Sequence, residues 1–483
     1  MRPNILLVVL DAARRDAVQP YGTAPASTPA IAQLASRGHA LQRAYATASW
    51  TLPSHASMFT GLLPGVLGLR QAPEGTPQSA RPALRRVAER LLAQVLRETG
   101  YETQAWSTNL WASPFAGFDI GFDRFRYVTS GRDERMNALL GEGPRARAAW
   151  VSEGLRSRAD DGAAEVGREL RDAISSWTGQ PAFWFVNLTE CHSPYLPPRP
   201  WNDLAPRERI GAALDAQRHL SFQSICLYVA GAHQIPDAAL KRMHHLYVRA
   251  ISYMDNWLAG VLEALDRRGI LEQTLVIVTS DHGENFGEGG LIAHGFSLDE
   301  RLISVPLVMA GPGACDRERV FSLTELPALI AGAAGLERHP WATGELPQGI
   351  AVAQYEPIGG RTNAQILDFA AKWGLADRGI DRLTASFTCA TDGEHKLVIS
   401  DGVESLYDLR ADPGEREPLP AAGADGAALA ALRSALEHPA VTGPSPSPAP
   451  APAPAEPSPP PELEATEEEL ATIERQLKLL GYM

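Results

Sequence analysis

At 483 residues the chain exceeds one ordinary domain, and its 45% hydrophobic content is ample for a real core, so one large domain plus at least one smaller one is expected. A formal charge of −13 argues against nucleic acid or an anionic membrane surface as the main partner, and suits an enzyme that uses a metal cation to hold an anionic substrate. The four cysteines are scattered without C-x-x-C spacing, which favours reduced thiols over a disulfide framework or a zinc site.

In chain order, "NILLVVL" reads as a buried strand ending at Asp11. The run "ILLVVL" is too short to span a membrane and lacks the basic region and cleavage site of a secretory signal, so the chain is read as cytoplasmic. "IAQLASRG" has helical spacing and a terminal glycine, and "LRRVAERLLAQVLRETG" reads as one amphipathic helix closed by Gly100. "YETQAWSTN" and "AFWFVNLTE" are further strands, "LYVRAISYMDNWLAGVLEALDRRG" is a long helix, and "TLVIVTS" and "SVPLVMAGPG" are two more apolar strands. Between these, residues 129–165 and 203–245 read as inserted helices.

Buried strands separated by helices predict an α/β fold, a mostly parallel sheet sandwiched by helices, over residues 1–344. "IAVAQYEP", "LTASFTCATDG" and "EHKLVISDG" predict a small antiparallel-sheet α+β domain over 345–437. A Pro-rich linker comes next at 438–461, then an amphipathic helix at 462–483 whose Leu470, Ile473, Leu477 and Leu480 form one apolar stripe. That helix docks on its own body or on a partner, and homo-oligomerisation through it is one expectation.

Ligands of doubly wound sheets bind at the carboxyl ends of the strands, so the residue just past each strand matters. Asp11 comes after the first, Asn109 ends the second, His192 comes after the third, and Asp281 with His282 after "TLVIVTS". Two Asp and a His make a mixed O/N site for a divalent cation. Each has a plainer reading. An Asp after a strand is often a helix cap, "SDHGE" can be a turn, and His192 and His294 can be packed loop histidines. "NLT" at Asn187 matches a glycosylation acceptor but lies inside an apolar strand of a chain without an export signal, and is discarded. No P-loop and no strand-borne dinucleotide fingerprint is present in the sequence.

Taken in order, "PNILLVVLDAARRDAVQPYG", "STPAIAQLASRG", "TLPSHASMFTGLLP", "NLTECHSPYLPP", "TLVIVTSDHGE" with "HGFSLDERLISVPLVMAGPG", and "HKLVISDGVESLYDLRADPGERE" resemble the sulfatase family of the alkaline-phosphatase superfamily. The likeness covers most of residues 1–420 and the closing "LKLLGYM". It implies an alkaline-phosphatase-like fold and one divalent metal, Mn, Mg, Ca, Zn or Fe, held by Asp11, Thr51, Asp281 and His282. It places Thr51 where sulfatases carry the Cys or Ser that becomes formylglycine. It also implies that His192 and His294 contact the anionic group or protonate the leaving oxygen, with Asn109 on the substrate side and His55 beside the nucleophile.

The chain departs from that pattern in four places. Thr51 cannot become formylglycine because its Cβ bears a methyl group. His55 stands where an Arg is usual, Ala12 where many members have a second acidic or hydroxyl ligand, and no K-x-x-H-G segment is present. A sulfated Thr lacks the elimination route of formylglycine hydrate, whereas a phosphorylated Thr is resolved by in-line attack at phosphorus. Thr is also the nucleophile of phosphoglycerol-transferring members of the superfamily. The expected function is therefore a metal-dependent hydrolase or phosphotransferase acting on a small anionic phosphate (di)ester or phosphonate ester through Thr51. The alternatives are a sulfatase working without formylglycine, and a degenerate binding or scaffold protein, to which Ala12 and His55 point.

Overall fold

The computed structural model describes residues 2–22, 25–69, 79–129, 144–342, 348–357, 359–419 and 426–442. Strand β1 (Asn4–Leu10) is wholly buried, and its side chains alternate between two cores. Leu6, Val8 and Leu10 enter one core, and Ile5, Leu7 and Val9 the other. An uninterrupted apolar run is what a central strand covered on both faces requires.

The large sheet holds β2 (His39–Ala40), β4 (Glu102–Ser107), β5 (Arg124–Tyr127), β6 (Ala182–Leu188), β7 (Thr274–Thr279) and β11 (Leu307–Ala310) with β1, in the order β2-β11-β7-β1-β6-β4-β5. β5, β4, β6, β1 and β7 run parallel, while β11 and β2 close one edge antiparallel. The mostly parallel sheet is thus present, and its antiparallel edge comes from β11 pairing back onto β7. Helices Pro29–Arg37, Ala163–Ser175 and Asp237–Arg267 cover one face, and Thr51–Thr60, Leu92–Glu98 and Leu326–Ala333 the other.

Two small sheets flank the site. β3 (Ala44–Tyr45) lies between β10 (Ser304–Val305) and β12 (Phe321–Ser322), and β8 (Asn285–Phe286) pairs with β9 (Ile292–Ala293) as an antiparallel hairpin. The small antiparallel sheet is β13 (Ala351–Tyr355), β14 (Phe387–Thr391), β15 (His395–Ser400) and β16 (Val403–Asp408), in that order. Helix Gly426–Leu436 covers it through Leu432, Ala435 and Leu436. A short helix, Pro439–Thr442, buries Val441 in the same cluster, so packed structure reaches 442, inside the stretch expected to be linker. The rest of that linker, the expected helix 462–483 and the start of the first inserted segment lie outside the described residues.

One expected helix is interrupted. "LRRVAERLLAQVLRETG" forms Arg81–Arg86, a 3-10 turn Ala88–Arg90 and Leu92–Glu98, with Leu91 extended between them. The break lets Leu84, Leu91, Leu92, Val95 and Leu96 all reach one core, a tertiary gain that outweighs helical propensity. The inserted regions do contain helices, at Pro144–Arg156, Pro206–His219 and Phe222–Val229.

Candidate active site and metal centre

The carboxyl rim of the large sheet gathers the groups expected there. Asp11 leaves β1 with its backbone N–H donating to the Leu188 carbonyl (3.0 Å), and Asp281 and His282 leave the neighbouring β7. Ligand atoms of Asp11, Asp281 and His282 all lie within 4.8 Å of one another, and all three residues are buried. Ala12, at φ 63°, turns the chain sharply so that its N–H donates to Asp281 Oδ1 (3.2 Å), which also accepts from the His282 N–H (3.0 Å). His282 Nδ1 faces the Gly283 carbonyl (2.8 Å), which fixes the proton there and leaves the Nε2 lone pair toward the two carboxylates, 3.5 Å from Asp281 Oδ2 and 3.9 Å from Asp11 Oδ1.

Thr51 is the first residue of helix Thr51–Thr60 and is 2% exposed. Its Oγ1 lies 3.4 Å from His282 Nε2 and accepts from Asn109 Nδ2 (3.2 Å). The same Asn109 amide donates to Asp11 Oδ2 (2.7 Å), while Asn109 Oδ1 is held by the Trp111 N–H (2.8 Å). Asn109 therefore bridges a ligand carboxylate and the Thr51 hydroxyl. Ser54 Oγ donates to the Asp281 carbonyl (2.7 Å) and pins the helix to the end of β7. Trp50, the residue before the helix, provides no side-chain cap, so the first-turn N–H groups are directed to the space at the rim. The hydroxyls of Thr47, Ser49 and Ser57 are buried without hydrogen-bond partners, and the helix cap position falls on Trp50.

His55 lies one turn along the same helix, fully buried between Phe118 and Phe185. Its Nδ1 faces the Thr51 carbonyl (3.0 Å) and Asp281 Oδ2 (3.4 Å), and its Nε2 faces Asn187 Nδ2 (3.1 Å). Burial holds its pKa below the ordinary histidine value, against the pull of Asp281. The imidazole thus sits between the Thr51 carbonyl, Asp281 and Asn187, behind the Thr51 side chain.

His192 and His294 form the other wall. Their ring centroids are 4.8 Å apart, and His294 lies tilted against His282 at 4.5 Å. Burial alone would lower the His192 pKa, but the Asp11 and Glu284 carboxylates outweigh it and raise it. Burial and the neighbouring His192 push His294 down to about 3, and burial with His294 pushes His282 down to about 4. Burial, then the Asp281 charge, lifts Asp11 to about 6, and Asp281 is raised by burial as well. Two residues that sequence reasoning did not place in the site belong to it. Asn187 donates to Asp11 Oδ2 (3.3 Å), and Glu284 Oε1 meets His294 Nδ1 at 3.0 Å. The string "SDHGE" contained the Glu284 signal, whereas nothing in the strand "FWFVNL" marks Asn187 as polar lining.

The donor set fits a divalent cation. Asp11 Oδ1 and Asp281 Oδ2 are buried with no hydrogen-bond partner, beside the free lone pair of His282 Nε2. Two carboxylates this close disfavour each other's ionised form, and a cation between them reverses that cost. The hard oxygens and one imidazole do not select among Mn, Mg, Ca, Zn and Fe.

An α/β sheet with a carboxylate-imidazole site and a hydroxyl at a helix start defines a hydrolase class of alkaline-phosphatase-like architecture. The chain belongs to the sulfatase family, whose profile matches residues 3–336. Enzymes of this family use a divalent metal ion and act on sulfate or phosphonate esters. The choline-sulfatase of Rhizobium meliloti (strain 1021) is 26% identical over 472 residues, which span 89% of this chain and 86% of that protein. The multifunctional alkaline phosphatase superfamily protein PehA of Trinickia caryophylli is 24% identical over 478 residues, 86% of this chain and 90% of that protein. Among solved structures, the phosphonate monoester hydrolase of Agrobacterium radiobacter superposes with a TM-score of 0.61 at 20% identity, over 89% of this chain and 93% of that one, a likeness of fold. No helix among the described residues is long and apolar enough to cross a membrane.

Proposed function

We propose that the protein is a metal-dependent hydrolase or phosphotransferase that uses Thr51 as its nucleophile on a phosphate diester or phosphonate ester. The observation that carries this reading is Thr51 Oγ1, buried at a helix start, 3.4 Å from His282 Nε2 and hydrogen-bonded by Asn109. A Thr hydroxyl is a poor nucleophile at its free pKa and needs an activating environment. Lewis-acid stabilisation of developing negative charge is the chemistry a divalent ion supplies when bound by Asp11, Asp281 and His282.

The chain's own groups do the rest. Asn109 holds Oγ1 in place, and the first-turn N–H groups of helix Thr51–Thr60 face the non-bridging oxygens. Oγ1 forms the bond to phosphorus as its proton passes to the His192–His294 wall. The bond to the leaving oxygen breaks, and that oxygen takes a proton from the His192–His294 wall. Water or an acceptor alcohol then attacks phosphorus in line, the Oγ1–P bond breaks, and Oγ1 regains its proton. His55 acts behind the nucleophile, through the Thr51 carbonyl and Asp281.

The chemistry of Thr51 supports phosphorus over sulfur, since a Thr sulfate has no elimination route. A second reading, sulfuric-ester hydrolysis without formylglycine, draws on the likeness to a choline-sulfatase. The degenerate reading loses ground because the orphaned donors of Asp11 and Asp281 and the His282 lone pair still converge. The proposal includes a cytoplasmic location, a small anionic ester as partner with neither nucleic acid nor membrane, and self-association through residues 462–483. Rates of the wild type and Thr51→Ala on matched aryl phosphodiesters, phosphonates and sulfates test it. The expected result is preference for phosphorus esters and loss of turnover in Thr51→Ala, and an undiminished Thr51→Ala would overturn it.

A further inference from the structure

Glu284 is fully buried, sits two residues after His282, and takes no part in the metal-ligand set of Asp11, Asp281 and His282. Hairpin β8–β9 explains where it goes. Asn285 pairs with Ala293, so the residues flanking that pair, Glu284 and His294, leave the hairpin side by side. Beyond His294 the chain turns through Gly295 (φ 80°) and Phe296 (φ 58°), and the Gly295 N–H donates to the Ser49 carbonyl (3.1 Å). The hairpin end is thereby tied to the segment that delivers Thr51. The Glu284 main chain is fixed in turn, its carbonyl accepting from Arg14 Nη1 (3.3 Å).

At the Glu284 carboxylate, Oε1 accepts from His294 Nδ1 (3.0 Å), while Oε2 is buried without a hydrogen-bond partner. A buried carboxylate with half its acceptors unmet is a poor structural element, because its desolvation is not returned in hydrogen bonds. It is the right group for orienting an imidazole, since a carboxylate can only accept. Nδ1 is then held protonated, and Nε2 is the nitrogen presented to the rim, where the ring also faces His192 and His282.

We propose that Glu284 is a positioning residue for His294. It accepts the Nδ1–H hydrogen bond, fixes the ring, and leaves the Nε2 lone pair facing the rim. Nε2 takes up the proton that the attacking hydroxyl gives up and hands it to the leaving oxygen as the bond to phosphorus or sulfur breaks, which returns the ring to its single Nδ1 proton. The proton of the incoming water or alcohol takes the same route in the second displacement. The inference rests on the reading of the site as an ester hydrolase or transferase, but not on which atom is the nucleophile.

The test uses the full-length, metal-loaded protein and aryl esters whose leaving groups range from nitrophenolate, which needs no proton, to phenolate, which does. Glu284→Gln is expected to lower kcat about 100-fold on phenyl esters and less than about 3-fold on nitrophenyl esters, with KM and bound metal unchanged. Adding Glu284→Gln to His294→Ala is expected to cost nothing further. Equal losses across all leaving groups, or full additivity of the two changes, would overturn the proposal.

A second readout is independent of turnover. NMR of the nitrogen-labelled protein is expected to find the His294 proton on Nδ1 in the wild type and on Nε2 in Glu284→Ala. An unchanged tautomer overturns the proposal whatever the activity. Undiminished turnover by Thr51→Ala with the tautomer shift intact would instead reject the nucleophile and leave Glu284 in its role.

Discussion

Lys396 and Asp11 are both completely buried, yet their surroundings are built on opposite terms. Lys396 stands on β15 of the small sheet and reaches the segment beyond His294. Its ammonium meets Glu415 Oε1 (2.7 Å), Glu300 Oε1 (3.3 Å) and the Leu298 carbonyl, while Tyr45 donates to Glu300 Oε2 (3.2 Å) and the Glu300 N–H to Glu415 Oε2 (2.6 Å). Burial alone would lower the Lys396 pKa, but Glu415 and Glu300 carry it above its ordinary value. Around Asp11 two carboxylates face each other, each with a partnerless oxygen. One cluster is complete as protein. The other leaves two carboxylate oxygens unmet, as a site suited to a cation does, and that contrast separates a structural charge cluster from a candidate functional one.

The largest expected effect breaks the second cluster. Thr51→Ala should reduce turnover by roughly 1,000-fold or more without changing the circular dichroism, and Asp281→Asn should do the same while also losing metal by elemental analysis. Next comes the complete cluster. Lys396→Met leaves Glu300 and Glu415 buried without their cation and is expected to lower stability by about 4 kcal/mol in urea denaturation, while turnover of the molecules that remain folded persists.

A third experiment compares metal-loaded and chelated protein. In the chelated state Asp11 has a folded-state pKa of about 6, raised above the unfolded carboxyl value, so the folded state holds the extra proton between them. That contribution is fully present below about pH 4 and is lost as pH rises through about 6, on the order of 3 kcal/mol. Saturation with a divalent ion should flatten this slope, and a slope that is identical with and without metal would contradict the assigned ligands. The smallest effect is the control. Arg433 and Glu404 form an exposed pair on the small domain, and Arg433→Ala should leave the denaturation midpoint unchanged within error.

Most of the main sheet was legible in the chain itself, because runs such as "NILLVVL", "AFWFVNL" and "TLVIVT" are apolar on both faces and mark central strands. Asp11, Asp281 and His282 were legible for the same reason, as polar residues that follow closely on those runs. Less visible were elements that depend on packing. The segment 84–100 looked like one continuous helix because its periodicity is good, yet Leu91 breaks it to bring more leucines to one core. Asn187 looked like a misplaced sugar acceptor, since a strand pattern does not reveal which inward position lines a polar site. Glu284 stands within "SDHGE" and still passes unnoticed there, because its partner His294 comes ten residues later, across the short β8–β9 hairpin.

The sequence by itself determined the class of the sheet, the order of its motifs, and the substitution of Thr51, His55 and Ala12 into a known pattern. These depend on local chemistry, where hydrophobic periodicity and a residue's own functional groups are enough. The tertiary structure decided the rest. It decided that Asn109 bridges Asp11 and Thr51, that His55 turns inward behind Thr51, and that Glu284 meets His294. Each of those depends on which lone pair points where, and in a parallel sheet that is set by strands far apart in sequence meeting at one rim.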